Sequence, residues 1–351
     1  MNYYIHIPFC RQKCPYCKFA LTPIFDEAKK RRYLAYIEKE IQKSSQEWAE
    51  TIYFWWGTPS ILSKQEIQNI LSWFSSYSKT TEISFECNPE DIQKWYIEDL
   101  LSLGINRISL WIQSLNDSTL HAIHRSNKES IIKALEIIDN EIQKSIRPLS
   151  VNIDFILWLP YSERWETLQN IQELHKKYSF ITHTSVYMLE DGLYPKTWKS
   201  ETISEEEMAN EYNEICIYFD SLNWNHYEIS NWSRKWYECH HNLWYWNHVN
   251  YRGFGLSATS YIEGKRWENS HAFQWYYRWE FEEEEVLNDE QIKLEKIIFW
   301  IRTFSLTDFE YSAKIMSNLE EKQLIERINN KICLTPAWIF QENTIISQLI
   351  G

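Results

Sequence analysis

Tyr3-Tyr-Ile-His-Ile7-Pro-Phe-Cys10-Arg-Gln-Lys-Cys14-Pro-Tyr-Cys17 is a short apolar strand that runs straight into three cysteines. Three thiolates at this spacing wrap one face of an iron–sulfur cube, a group that usually takes four ligands. The other cysteines lie far along the chain, so one iron stays open. An open iron can bind a small chelating ligand. The alternative is structural zinc, which closes four N or S ligands, typically supplied as two pairs. No second pair stands in the sequence.

Working outward, short apolar strands alternate with amphipathic stretches. Strands are predicted at 3–7, 51–54, 82–86, 107–110, 151–155 and 184–187. Helices are predicted at 26–43, 64–75, 92–103, 128–144 and 162–177. This alternation predicts an α/β fold with a parallel sheet and helices outside. Six units give a partial (β/α)6 barrel, with the chemistry at the C-terminal strand ends. The rhythm breaks after about residue 225. Residues 231–250 are rich in aromatics, His and Asn, 289–302 read as a helix, and the tail reads as a strand at 332–334, Thr335-Pro336 and a helix. The expected division is a barrel over 1–230, with its cluster loop at 8–19, and a smaller α+β domain over 231–351.

The bulk composition sets limits. Among 351 residues 44% are hydrophobic, enough for a large core, and the net charge is −13. A phosphate backbone needs a basic face, so nucleic acid is not an expected partner. No apolar run reaches the roughly 18–20 residues of a bilayer span, so no transmembrane segment is expected. No signal peptide is read at the start. Seven cysteines, three of them crowded together, suit a reducing cytoplasm and metal binding better than disulfides.

The motif Cys-x3-Cys-x2-Cys, with an aromatic before the third cysteine, resembles the radical S-adenosylmethionine (SAM) superfamily. Further segments resemble its HemW heme-chaperone family, which is related to oxygen-independent coproporphyrinogen dehydrogenase. They are Tyr4-Ile-His-Ile-Pro-Phe-Cys10, Gly57-Thr-Pro-Ser60, Glu86-Cys-Asn-Pro89, Gln113-Ser114, Tyr227-Glu-Ile-Ser-Asn231, His241-Asn-x-x-Tyr-Trp246 and Leu334-Thr-Pro336. The resemblance implies a 4Fe–4S cluster on Cys10, Cys14 and Cys17, with SAM at the open iron. It implies that Tyr4 and Tyr16 lie near both, that Trp56, Gly57 and Thr58 form the turn at the SAM amino group, and that Glu86, Gln113, Arg125 and Asp154 complete the pocket. Capping or ion-pairing roles are the alternative for Glu86 and Asp154, and a plain surface position for Arg125. His241, Asn242, Tyr245 and Trp246 fall where the family binds heme or shapes the porphyrin site. The alternative there is a structural histidine packed under its aromatic neighbours. Implied partners are heme, a heme-accepting protein and an electron donor for the cluster.

Two catalytic readings stand beside the chaperone: oxidative decarboxylation of coproporphyrinogen III, and another radical SAM reaction. The dehydrogenase usually has a further cysteine two residues after the third, where this chain has Phe19. It also has a long segment before its cluster.

One feature of the composition is odd. Glycine occurs 7 times and tryptophan 19 times. Together they make up about 7% of the chain, the share glycine ordinarily has alone. The family pattern has glycine at Trp55, Trp56, Trp111, Trp158, Trp236 and Trp338. Two readings are open: a divergent, tryptophan-filled site, or natural glycines whose UGA codons were read as tryptophan.

Overall fold

The computed structural model describes residues 1–23, 26–44, 47–74, 77–189, 204–304, 313–328, 331–334 and 346. The chain opens with β1 (Asn2–Ile7), α1 (Glu27–Lys43), β2 (Thr51–Gly57), α2 (Lys64–Ser72), β3 (Glu82–Cys87) and α3 (Lys94–Ser102). β4 (Arg107–Gln113), α4 (Asp117–Ala122), α5 (Lys128–Lys144), β5 (Ser150–Leu157), α6 (Glu166–Lys177) and β6 (His183–Met188) follow. The six strands pair in chain order and in parallel. The result is an open sheet, as the (β/α)6 reading expects.

Alternation along each strand makes the two faces different. Ile5, Ile52, Phe54, Ile83, Phe85, Ile108, Leu110, Ile153 and Phe155 pack outward against Tyr33, Ile37, Ile67, Ile97 and Leu135 of the helices. The intervening residues face inward and are polar or aromatic. Several helices start on side-chain caps. Asp26 Oδ1 accepts from Ala28 N–H, Ser63 and Glu66 form a capping box, and Asn127 accepts from Ser130 N–H. Each cap satisfies amide groups that the helix itself leaves open.

After α7 (Glu205–Ser221), a hairpin of β7 (Asn225–Glu228) and β8 (Asn231–Ser233) joins the sheet, β8 running antiparallel to β6. The expected boundary at 230/231 lies in the turn of this hairpin. The short helix α8 (His240–Trp246) leads to β9 (Tyr251–Phe254), which pairs in parallel with β1 at the sheet's other side. β10 (Thr259–Ile262), β11 (Lys265–Asn269), α9 (Phe273–Tyr276) and β12 (Phe281–Val286) extend that side. One twelve-stranded sheet results, in the order β12-β11-β10-β9-β1-β2-β3-β4-β5-β6-β8-β7. The acidic run Glu282–Glu285 sits in the edge strand β12, where charge blunts an open edge. α10 (Asp289–Arg302), α11 (Ala313–Glu321) and the hairpin β13 (Ile325–Ile328)–β14 (Lys331–Leu334) follow. The helix expected after Thr335-Pro336, and Trp338 with it, lie outside the described residues.

Candidate functional site

The inward faces of β2 to β6 and the loop after β1 enclose a cavity of about 1050 Å³. Cys10, Cys14 and Cys17 line one side of it, and all three are free thiols. Their loop is pinned at both ends. Cys10 N–H donates to Thr22 O (3.1 Å), Thr22 N–H donates to Pro8 O (2.7 Å), and Arg11 pairs with Asp91 at 2.7 Å. Cys17 N–H closes a turn on Cys14 O (3.0 Å), and Thr58 Oγ1 donates to Cys10 Sγ (3.3 Å). Burial pushes the Cys10 thiol up to about 11, with the Thr58 hydroxyl pulling the other way. Burial also raises Cys17.

Glu86, Gln113, Arg125 and Asp154 line the same cavity. Trp56 N–H donates to Glu86 Oε2 (3.0 Å). Burial, and then the neighbouring Asp154 charge, lift the Glu86 carboxyl well above its usual range. Burial also raises Asp154, although Ser109 Oγ (2.6 Å) and Asn152 Nδ2 (2.9 Å) donate to it. Burial favours the protonated form of both carboxyls, and a cation placed beside them would favour their charged form. Arg125 Nη1 donates to Asn88 Oδ1, while Arg125 Nε and Gln113 Oε1 are buried without a partner.

A sequence profile described as the radical SAM superfamily matches residues 4–189. The heme chaperone HemW of Lactococcus lactis is 30% identical over 352 residues, covering 94% of this chain and 89% of its own length. HemW of Bacillus subtilis is 27% identical, covering 99% and 98%. This chain belongs to the radical SAM superfamily and, within it, to the HemW family. Among solved structures, coproporphyrinogen III oxidase (HemN) from Escherichia coli superposes with a TM-score of 0.82 at 18% identity, over all of this chain and 90% of that one. That likeness is one of fold.

Not every residue implied by the HemW resemblance reaches the cavity. Tyr16, Trp56, Gly57, Thr58, Glu86, Gln113, Arg125 and Asp154 line it, with the three cysteines. Tyr4 does not. Its hydroxyl accepts from Thr259 N–H (2.6 Å), tying β1 to β10. Asn242 touches the cavity, whereas His241, Tyr245 and Trp246 stand behind it. His241 is fully buried; its Nδ1 bonds Thr51 Oγ1 (2.7 Å) and its Nε2 bonds the Tyr245 hydroxyl (3.0 Å). Burial lowers its pKa to about 3, so the ring is neutral. Cys87 and Cys216 are buried, as small core residues are.

Sequence reasoning missed a row of inward polar residues. Asn152 Nδ2 donates to Ser109 Oγ (2.8 Å) and Ser185 Oγ (2.9 Å), Ser185 Oγ donates to Asn231 Oδ1 (2.7 Å), and His183 bridges Asn152 Oδ1 (2.6 Å) and the Tyr227 hydroxyl (2.7 Å). The available signal was polar residues at every second position of otherwise apolar strands.

The donor chemistry suits a 4Fe–4S cluster, with three free thiols of one pinned loop lining one cavity, although among the described residues no three ligating side chains are drawn together as a metal site. Toward SAM the polar groups fit, since an ammonium suits the carboxyls and a carboxylate suits Arg125. The indoles of Trp55, Trp56 and Trp111 line the same cavity and narrow the room beside those groups.

Proposed function

We propose that this chain is a heme chaperone that binds heme and delivers it to an acceptor protein. Cys10, Cys14 and Cys17 hold its 4Fe–4S cluster, and SAM completes the open iron. When bound, this pair supplies one-electron chemistry or a structural gate for the porphyrin. The chain's own groups hold it in place: Thr58 steadies Cys10, Arg125 and Gln113 offer unpartnered polar atoms, and Glu86 with Asp154 neutralise positive charge. The observation that carries the reading is the HemW likeness over 94% of the chain, joined to one cavity that runs from the three thiols to Cys239 and Asn242. His241 remains the heme-ligand candidate. Ligation through Nε2 requires that its bond to Tyr245 opens.

The test is a titration of hemin into anaerobically reconstituted protein, following the Soret band. Saturable binding near one heme per chain is expected, and His241→Ala then removes the band shift if Nε2 is the ligand. Absence of specific binding overturns the chaperone reading and points to SAM cleavage with coproporphyrinogen III as substrate.

A further inference from the structure

A left-handed backbone costs any residue with a Cβ roughly 1–2 kcal/mol, so chains place glycine there. Here tryptophan takes that place. Among the described residues, fourteen non-glycine positions have positive φ, and five of them are tryptophan: Trp56, Trp158, Trp165, Trp236 and Trp279. Tryptophan makes up only 19 of the 351 residues, so chance does not account for the share.

The local motifs at three of these positions ask for glycine independently. At the end of α9, Trp279 N–H donates to Tyr276 O (3.0 Å) and Glu280 N–H to Trp275 O (3.2 Å), with Trp279 at φ 63°. This is a Schellman cap, whose left-handed residue is usually glycine. The same chain uses glycine at the same place after α3. There Gly104 N–H donates to Leu101 O (3.2 Å), Ile105 N–H donates to Leu100 O (3.1 Å), and Gly104 has φ 91°. Trp236, at φ 76°, is the third residue of a turn closed by Tyr237 N–H on Arg234 O (2.9 Å), the glycine position of a type II turn. Its indole is 80% exposed and packs no core. Trp56 is the extra residue where the register of β1 and β2 shifts, at φ 61° beside Gly57 at φ 62°.

Crowding points the same way. The rings of Trp56 and Phe19 lie 3.3 Å apart between centroids, whereas aromatic pairs settle at roughly 4.5–7 Å. Trp55 stacks on Trp56 at 4.8 Å, and with Trp111 they line the cavity that the cysteines also line. Trp232 shows the contrast. It is fully buried and stacks on Phe219 at 5.1 Å, an ordinary core tryptophan with no positive φ.

We infer that Trp55, Trp56, Trp111, Trp158, Trp236 and Trp279 are glycines in the natural protein, encoded by UGA codons that its own translation machinery reads as glycine. For Trp55, Trp56 and Trp111 the consequence rests on the SAM site proposed above: glycine there clears the cavity wall and lets backbone amides approach the ligand. For Trp158, Trp236 and Trp279 the inference rests on backbone geometry alone, and at Trp158 it stands against an indole Nε1 that donates to Glu211 Oε2 (2.8 Å).

The deciding measurement is tandem mass spectrometry of tryptic peptides from the protein purified from its own organism. Peptides 44–64 and 108–125 are expected to carry glycine at 55, 56 and 111, while peptide 200–234 keeps tryptophan at 232. Tryptophan at 55, 56 and 111 overturns the inference, whatever binds in the cavity. A second comparison uses recombinant chains, one with tryptophan and one with glycine at all six positions, both reconstituted with iron and sulfide. The glycine form is expected to bind SAM at least about tenfold tighter. If the peptides show glycine and neither form binds SAM, recoding stands and the SAM site falls.

Discussion

Cys10, Cys14 and Cys17 differ from the other described thiols in what surrounds them. Cys10 meets a hydroxyl donor, Thr58, and all three share one cavity wall. Cys239 also lines the cavity, but its thiol points at Glu82 Oε1 (3.6 Å), away from the loop. Replacing any one of the three with serine is therefore expected to drop iron from about four atoms per chain to near zero after reconstitution, with the far-ultraviolet circular dichroism unchanged. Cys239→Ser is expected to retain the iron. A Cys14→Ser protein that keeps its full iron and visible absorbance would remove the cluster assignment. These cysteines were legible in the sequence because spacing alone carries their chemistry. Glu86 and Asp154 were legible through the family resemblance. Ser109, Asn152, His183 and Ser185 were not, since a small polar residue inside an apolar strand has no meaning until register sets it beside its partners. The place of Tyr4 was not legible for the same reason. Its neighbour is Thr259, 255 residues away, and no local pattern reports that contact.

β2 ends where it must let the cluster loop pass, and Gly57 makes this possible. Its φ is +62°, and a Cβ there would lie 1.9 Å from Ile7 O, a backbone atom with nowhere to move. Thr58, next in line, donates its amide to that same oxygen (3.2 Å) and its hydroxyl to Cys10. Gly57→Ala is expected to cost more than the roughly 1–3 kcal/mol of backbone strain alone, and to lower the cluster content with it. Gly104 has φ +91° but open space around it, with Arg147 Nη1 the nearest atom at 3.9 Å. Gly104→Ala is thus expected to cost only about 1 kcal/mol. Urea midpoints of the two variants, measured side by side, check the contrast, and equal losses would refute the close approach at Gly57. The six parallel strands, α5 and α10 stood close to their expected bounds because each carries a long, single period. The strands after residue 225 are three to six residues long, and their aromatic-rich sequence offers no clean period of two. That they extend the barrel's own sheet follows from pairing with β1 and β6, which only the folded chain reveals.

Buried titratable groups spread over the sheet give the protein an asymmetric response to acid. His6 on β1, His175 on α6, His226 on β7 and His241 on α8 are each held by burial at a pKa of about 3, against 6.5 when exposed. Below pH 6.5 the unfolded chain takes up protons that the folded chain refuses, so each histidine lowers stability as pH falls, until about pH 3. Glu40, Glu86 and Asp154 act in the opposite sense. Burial raises their folded pKa values above 4.5 for the glutamates and 3.8 for the aspartate. The folded state therefore gains protons first, and stability rises as pH falls through that interval. The two sets oppose each other wherever the folded carboxyls have taken up protons and the unfolded ones have not. Below the ordinary carboxyl range the acids are protonated in both states and their contribution is constant, while the histidines still differ. Each then removes up to about 1.4 kcal/mol per pH unit. The cluster-free chain is thus expected to lose urea midpoint more steeply below pH 4.5 than above it. In His226→Gln, which cannot take up a proton in either state, the low-pH loss is expected to be shallower than in the parent. A midpoint that stays level down to pH 3.5 would mean that these imidazoles accept protons in place, and that the sheet opens to water far more readily than its packing indicates.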